Sequence, residues 1–238
     1  MGIRVVFLDF GGTLSHNWFS DGGNPAAAWV AVAAQQGLHL KVEAVEHALA
    51  EANRELAPTI YSYLGRTSEY WRLHDDRVSD SLGIREGRAA LFSSLDRWFA
   101  DGEVGEVYPD TVPALEAVRR QGYRMGVISN HTDRLLSILD RLRLRRFFES
   151  VTFSQEAGVE KPERGIFDLA LRRMRCVPEE AVFVGDSWNA DVVGSRGVDI
   201  RPIWLNRGDR APPGSCDSLR DLNELPRWLT RERAKRPA

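Results

Sequence analysis

The chain has 238 residues, of which 28% are charged and 43% hydrophobic, and its net charge is −2, the balance of an ordinary globular protein with no basic field to attract nucleic acid. Its two cysteines, Cys176 and Cys216, have neither metal-ligand spacing nor a disulfide framework around them, and its most apolar stretch, Ala26 to Ala34, is too short to span a bilayer. A nucleic-acid binder, a membrane-spanning protein and a disulfide-stapled scaffold are therefore not expected, and a cytoplasmic location is.

The N-terminus enters an apolar run directly, so no leader is expected. Position 6 is Val6 rather than serine or threonine, which speaks against myristoylation at Gly2. Val5-Val6-Phe7-Leu8 is bounded by a turn signal and reads as a strand buried on both faces, with Asp9 emerging at its carboxyl end. Open α/β sheets bind ligands at that end. Gly11 and Gly12 permit a tight or positive-φ turn whose main-chain N–H groups approach an anion, and Thr13 adds a hydroxyl.

Helical signals follow. Asn24-Pro25 predicts a capped helix that ends at Gly37. Val45, Leu49, Ala52 and Leu56 recur at helical spacing up to Pro58. Two more helices are expected over Thr67 to about Leu82 and Gly87 to Phe99. No strand pattern occurs between Ser15 and Val107, so residues 16–107 are expected to form an all-helical insertion, with Gly102 and Gly105 as the linker back. Aromatic residues are frequent there: Trp18, Phe19, Trp29, Tyr61, Tyr63, Tyr70 and Trp71. Most are expected in the insertion's core.

From Tyr108 onward helices alternate with short apolar strands at Met125–Ile128, Val151–Ser154, Ala181–Val184 and Arg201–Leu205. Such alternation predicts a parallel sheet covered on both faces. Residues 1–15 and 108–230 would form this core, and 231–238 a frayed tail.

Parallel strands share a carboxyl-end edge, so Asp9, Ser129 and Asp186 can converge there, with Lys161 at the start of a helix. Lysine occurs only at Lys41, Lys161 and Lys235, which makes each worth inspecting. Asp9 and Asp186 suit a hard divalent ion such as Mg²⁺, and Asp191 can complete the shell directly or through water. Ser129 can hydrogen-bond a phosphoryl oxygen, Lys161 can offset its charge, and Asp9 can attack phosphorus.

The segments Asp9-Phe10-Gly11-Gly12-Thr13-Leu14, Ile128-Ser129-Asn130, Glu160-Lys161-Pro162 and Gly185-Asp186-Ser187-Trp188-Asn189-Ala190-Asp191 resemble, in order, the four motifs of the haloacid dehalogenase-like hydrolase superfamily. The resemblance spans Ile3 to about Leu205. It implies a Rossmann-like core with a helical cap as a mobile lid, and an Mg²⁺-dependent phosphatase with Asp9 as nucleophile. It further implies Asp9, Asp186 and the Gly11 carbonyl around the metal, Asp191 supporting that shell, and Gly12, Thr13, Ser129, Asn130 and Lys161 binding the phosphoryl group of a small phosphorylated substrate. Which metabolite, and which oligomeric state, the sequence leaves open.

One position departs from the pattern. The family's phosphatases carry a second aspartate two residues after the nucleophile as general acid-base, and here that residue is Gly11. Three readings follow: a phosphatase in which His16, His131, Asp21 or a cap residue supplies the proton; a phosphonatase-like hydrolase using Lys41; and a binding or regulatory protein that kept the pocket without turnover. Arg66 and Arg72 are further candidates for a second anionic group of the substrate.

Overall fold

A computed structural model describes residues 2–16 and 23–235, and of residues 100–104 the backbone alone. In chain order, β1 (Val5–Leu8) leads through a turn to β2 (Ser15–His16). Four helices follow: α1 (Pro25–Ala34), α2 (Val42–Leu56), α3 (Thr67–Ser81) and α4 (Arg88–Val104). The chain returns through β3 (Glu106–Val107) to α5 (Thr111–Arg120), β4 (Arg124–Ser129), α6 (Arg134–Arg141), β5 (Ser150–Phe153), α7 (Ser154–Ala157) and α8 (Arg164–Met174). It ends with β6 (Ala181–Gly185), a π-helical turn over Trp188–Val193, α9 (Gly194–Arg196), β7 (Arg201–Leu205), β8 (Asp217–Leu219) and α10 (Leu225–Ala234). The chain divides into two compact units, Met1–His16 with Glu106–Ala238, and Asn17–Gly105.

The first unit is built on a six-stranded sheet in the order β5-β4-β1-β6-β7-β8, with every pairing parallel. The four residues of β1 have no exposed surface, as expected of a central strand covered on both faces. Phe7, Ile128, Phe167, Ala170 and Phe183 share one core cluster between the sheet and α8. Leu8 sits opposite Val127 and Val184, so Asp9, Ser129 and Asp186 all leave the sheet at the same edge.

The second unit is helical. Asn24 caps α1 by accepting from the N–H groups of Ala26 and Ala27, and the packed interior includes Trp29, Val45, Ala48, Val78, Leu91 and Leu95. Trp29 and Tyr70 are buried, while Tyr61, Tyr63 and Trp71 are partly exposed. Trp18, Phe19 and Asp21 lie outside the described residues.

Four local expectations need correction. β2 and β3 form a two-residue antiparallel ladder, Ser15 opposite Val107 and His16 opposite Glu106, where no strand was foreseen; two residues are too few to show alternation. Gly102 lies inside α4 rather than in a linker, and only Gly105, at φ 55°, ends that helix. β8 adds a sixth strand whose Asp217 and Ser218 are exposed, so it has no hydrophobic signature. Residues 231–234, expected in a frayed tail, belong to α10, which buries Leu225, Trp228 and Leu229; its polar outer face hid an amphipathic helix.

Candidate active site

Asp9 stands one residue beyond the end of β1 and is 7% exposed. The Lys161 ammonium donates to Asp9 Oδ1 at 2.7 Å, to Asp191 Oδ1 at 2.7 Å and to the Ile128 carbonyl at 3.0 Å, and it lies 5.1 Å from the centroid of the Phe183 ring. Burial pulls the lysine pKa down, but the adjacent carboxylates of Asp191 and Asp9 outweigh this and raise it, so it stays an ammonium ion.

Lys161 is held by its own backbone. Asn130 accepts from the Lys161 N–H at 2.7 Å and donates its amide to the Lys161 carbonyl at 3.0 Å. The Asn130 side chain thereby clamps the lysine loop against the end of β4. Ser129, the last residue of β4, is 4% exposed.

Asp191 comes from the π-helical turn after β6. Its Oδ2 accepts from the Ser187 N–H at 2.9 Å, while the Ser187 hydroxyl caps the turn by accepting from the Ala190 N–H. Gly185 is required here: a Cβ on it would fall 2.3 Å from Asp191 Oδ2. The Asp186 carbonyl accepts from Trp204 Nε1 and from Arg210, both at 2.9 Å.

The turn after β1 folds against Asp186. Gly12 has φ 75°, and a Cβ there would lie 2.7 to 2.9 Å from the Asp186 carboxylate atoms, so glycine answers both the backbone and the close approach. The Gly12 N–H donates to the Ser15 carbonyl and the Thr13 N–H to the Phe10 carbonyl. These two amides therefore close the turn. The Thr13 hydroxyl points at Asp186 Oδ1, 3.5 Å away. Gly11 differs: a Cβ built on it meets no atom of the described residues within 4 Å, and its φ is outside the left-handed region.

Asp9, Asp186 and Asp191 each offer an oxygen, and these atoms lie within 4.8 Å of one another. Three carboxylates face a single ammonium, so negative charge is in excess. Burial raises the pKa of Asp9, and Asp186 adds to the rise. Burial and the neighbouring Asp191 raise Asp186, and burial pushes Asp191 up to about 6. Hard oxygen donors with uncompensated charge fit a small divalent cation. Both carboxylate oxygens of Asp191 are already engaged, by Lys161 and by the Ser187 N–H.

Other sequence candidates have local roles. His16 packs at a tilt against Tyr108 with ring centroids 4.9 Å apart, and His131 Nδ1 accepts from the Thr132 N–H at 2.9 Å, one residue short of the Asp133 N-cap of α6. Lys41 is exposed at the start of α2. Arg66 pairs with Glu69 and lies over the Tyr63 ring; Arg72 is exposed.

Arg207 was missed. It donates to the Thr13 carbonyl at 2.9 Å, pairs with Asp110 at 2.9 Å and lies 3.8 Å from the centroid of the Tyr108 ring. It thereby ties the loop after β7 to both the nucleophile turn and the chain's return from the helical unit. No local pattern announces it among so many arginines, because its partners are 97 and 194 residues away.

A sequence model of the haloacid dehalogenase-like hydrolases matches residues 3–199. The chain belongs to this family, and it is a hydrolase. A glyceraldehyde 3-phosphate phosphatase of Methanothermobacter thermautotrophicus is 42% identical over 100 residues, 42% of this chain and 44% of that protein. The enzyme of the same name from Methanopyrus kandleri is 30% identical over 193 residues, 76% of this chain and 82% of that protein. Among solved structures, a 2-haloacid dehalogenase from Pseudomonas syringae pv. Tomato superposes with a TM-score of 0.77 at 24% identity, covering 96% of this chain and 99% of its own. That likeness speaks to the fold.

Among the described residues, no helix is long and apolar enough to cross a membrane.

Proposed function

We propose that this hydrolase is an Mg²⁺-dependent phosphatase that acts on a small phosphorylated metabolite through an aspartyl-phosphate on Asp9. The observation that carries this reading is the buried grouping of Asp9, Lys161, Asp186 and Asp191 at the carboxyl edge of the parallel sheet. Relatives named as phosphatases support it. The acidic cluster favours phosphate chemistry over dehalogenation, because it supplies the donors of a divalent metal rather than a cradle for a halide.

In this reading Asp9 and Asp186, with the Gly11 carbonyl, hold Mg²⁺, and Asp191 supports the set. The bound ion supplies charge neutralisation at the phosphoryl oxygens. Lys161 keeps Asp9 ionised and oriented and balances part of the charge that gathers as phosphorus is attacked. Ser129 binds a phosphoryl oxygen, Thr13 steadies Asp186, and Asn130 acts on the substrate only through Lys161.

Phosphate release from a mixed panel of phosphoesters and acyl phosphates tests this, with native protein beside Asp9→Asn and with EDTA beside Mg²⁺. Release that needs both Mg²⁺ and Asp9 is expected. A folded native protein that binds phosphate but releases none from any member would instead indicate a binding protein.

A further inference from the structure

The proton donors around Asp9 narrow the substrate. The three N–H bonds of Lys161 already point at Asp9, Asp191 and the Ile128 carbonyl, and its side chain is 2% exposed, so none is directed at a leaving group. The Thr13 hydroxyl points at Asp186. Asp191 is held between Lys161 and the Ser187 N–H. His16 and His131 are engaged with Tyr108 and Thr132. Beside the nucleophile, the space in front of Gly11 is open, with no described atom within 4 Å of a Cβ built there. The site gathers a nucleophile, negative charge and a committed ammonium, but Gly11, two residues after the nucleophile, offers no acid, and no described side chain fills the space in front of it.

From this we infer that the phosphoryl donor is an acyl phosphate, a mixed anhydride of a carboxylic acid, rather than an alkyl phosphate ester. The inference rests on the phosphatase reading above. An alkoxide is too basic to depart without a proton, whereas a carboxylate departs as a stable anion. In the first step an Asp9 oxygen bonds to phosphorus while the bond from phosphorus to the acyl oxygen breaks. The electron pair leaves on the carboxylate, and no proton moves. In the second step a water oxygen bonds to phosphorus, the bond to Asp9 breaks, Asp9 regains its carboxylate, and both water protons depart with inorganic phosphate. The leaving group is a carboxylate in both steps, so one acid-free site serves both halves.

The test compares Mg²⁺-dependent release of phosphate from acetyl phosphate and ethyl phosphate, with Asp9→Asn subtracted. A general acid is worth about 10² to 10⁴ in rate, so native kcat/KM for acetyl phosphate should exceed that for ethyl phosphate by at least about 10²-fold. Gly11→Asp, which has room, should narrow that ratio by raising the alkyl rate; Gly11→Asn, similar in size but without an acid, should not narrow it. A graded series of aryl phosphates on the native protein gives a second readout independent of any variant, and a steep fall of kcat with leaving-group basicity is expected. Equal rates on acetyl and ethyl phosphate, a flat aryl series, or an unchanged ratio in folded Gly11→Asp would overturn the inference while the phosphatase reading stands. No Mg²⁺- and Asp9-dependent release from any of these would overturn both.

Discussion

The cluster around Asp9 and the inner face of α3 both bury polar groups, but the two regions bond them differently. At the sheet edge Asp9, Lys161 and Asp191 are nearly inaccessible, and each is tied to its neighbours by short bonds, with Asn130 and Ser187 bracing them from behind. In the helical unit, α3 buries Thr67, Tyr70, His74, Asp75 and Ser79. There Trp71 Nε1, His74 Nε2 and the Ser79 hydroxyl have no hydrogen-bond partner among the described residues, and His74 meets Asp75 through Nδ1 at 3.3 Å. Connected burial holds reactive groups in one geometry; unconnected burial subtracts from stability. The difference teaches that burial of a polar residue does not by itself mark a site, and that its bonding does.

The contrast can be broken most forcefully at Lys161. Lys161→Met removes the only ammonium among the described residues that contacts Asp9 and Asp191, and breaking a buried pair in this way should destabilise the protein by about 3–5 kcal/mol. Denaturant unfolding without Mg²⁺ measures this, and phosphate release should be lost as well. Gly185→Ala forces a methyl group into Asp191 Oδ2. Overpacking of this kind should cost about 1–3 kcal/mol and weaken Mg²⁺ binding, as read by calorimetry.

On the other side, Ser79→Ala removes a buried hydroxyl that bonds to nothing, so it should stabilise the helical unit by about 1 kcal/mol, visible as a higher melting temperature. The smallest effect concerns pH. Burial raises the Asp75 pKa above its unfolded value, so the folded state holds that proton more tightly. Its contribution to stability is complete below the usual aspartate range and is lost as pH rises through the folded value. Asp75→Asn should flatten that decline in a series of melts across acidic pH; an unchanged slope would assign it to other groups.

Much of the site was legible because each strand ends on a chemically distinctive residue. An apolar run that stops at Asp9, another at Ser129 and a third at Asp186 locate one edge of one sheet. What escaped the sequence lacks either periodicity or proximity. β8 has an exposed aspartate and serine because it closes the edge of the sheet, so it shows no alternation. The last turn of α10, residues 231–234, looked like tail because the buried residues of that helix, Leu225, Trp228 and Leu229, all precede it. Asn130 carried a motif position but not its direction, and Arg207 joins segments that the linear chain separates.

By itself the sequence determined the strands β1, β4, β5, β6 and β7, the parallel α/β class and the identity of the acidic and basic groups at the site, because apolar runs and turn residues act locally. Tertiary structure decided which polar atoms pair. The Lys161 ammonium went to Asp9 and Asp191, the Gly12 and Thr13 amides went to their own turn, and no described atom came within 4 Å of a Cβ built at Gly11. Hydrogen bonds are short-ranged and directional, so only folded backbones in register can assign them.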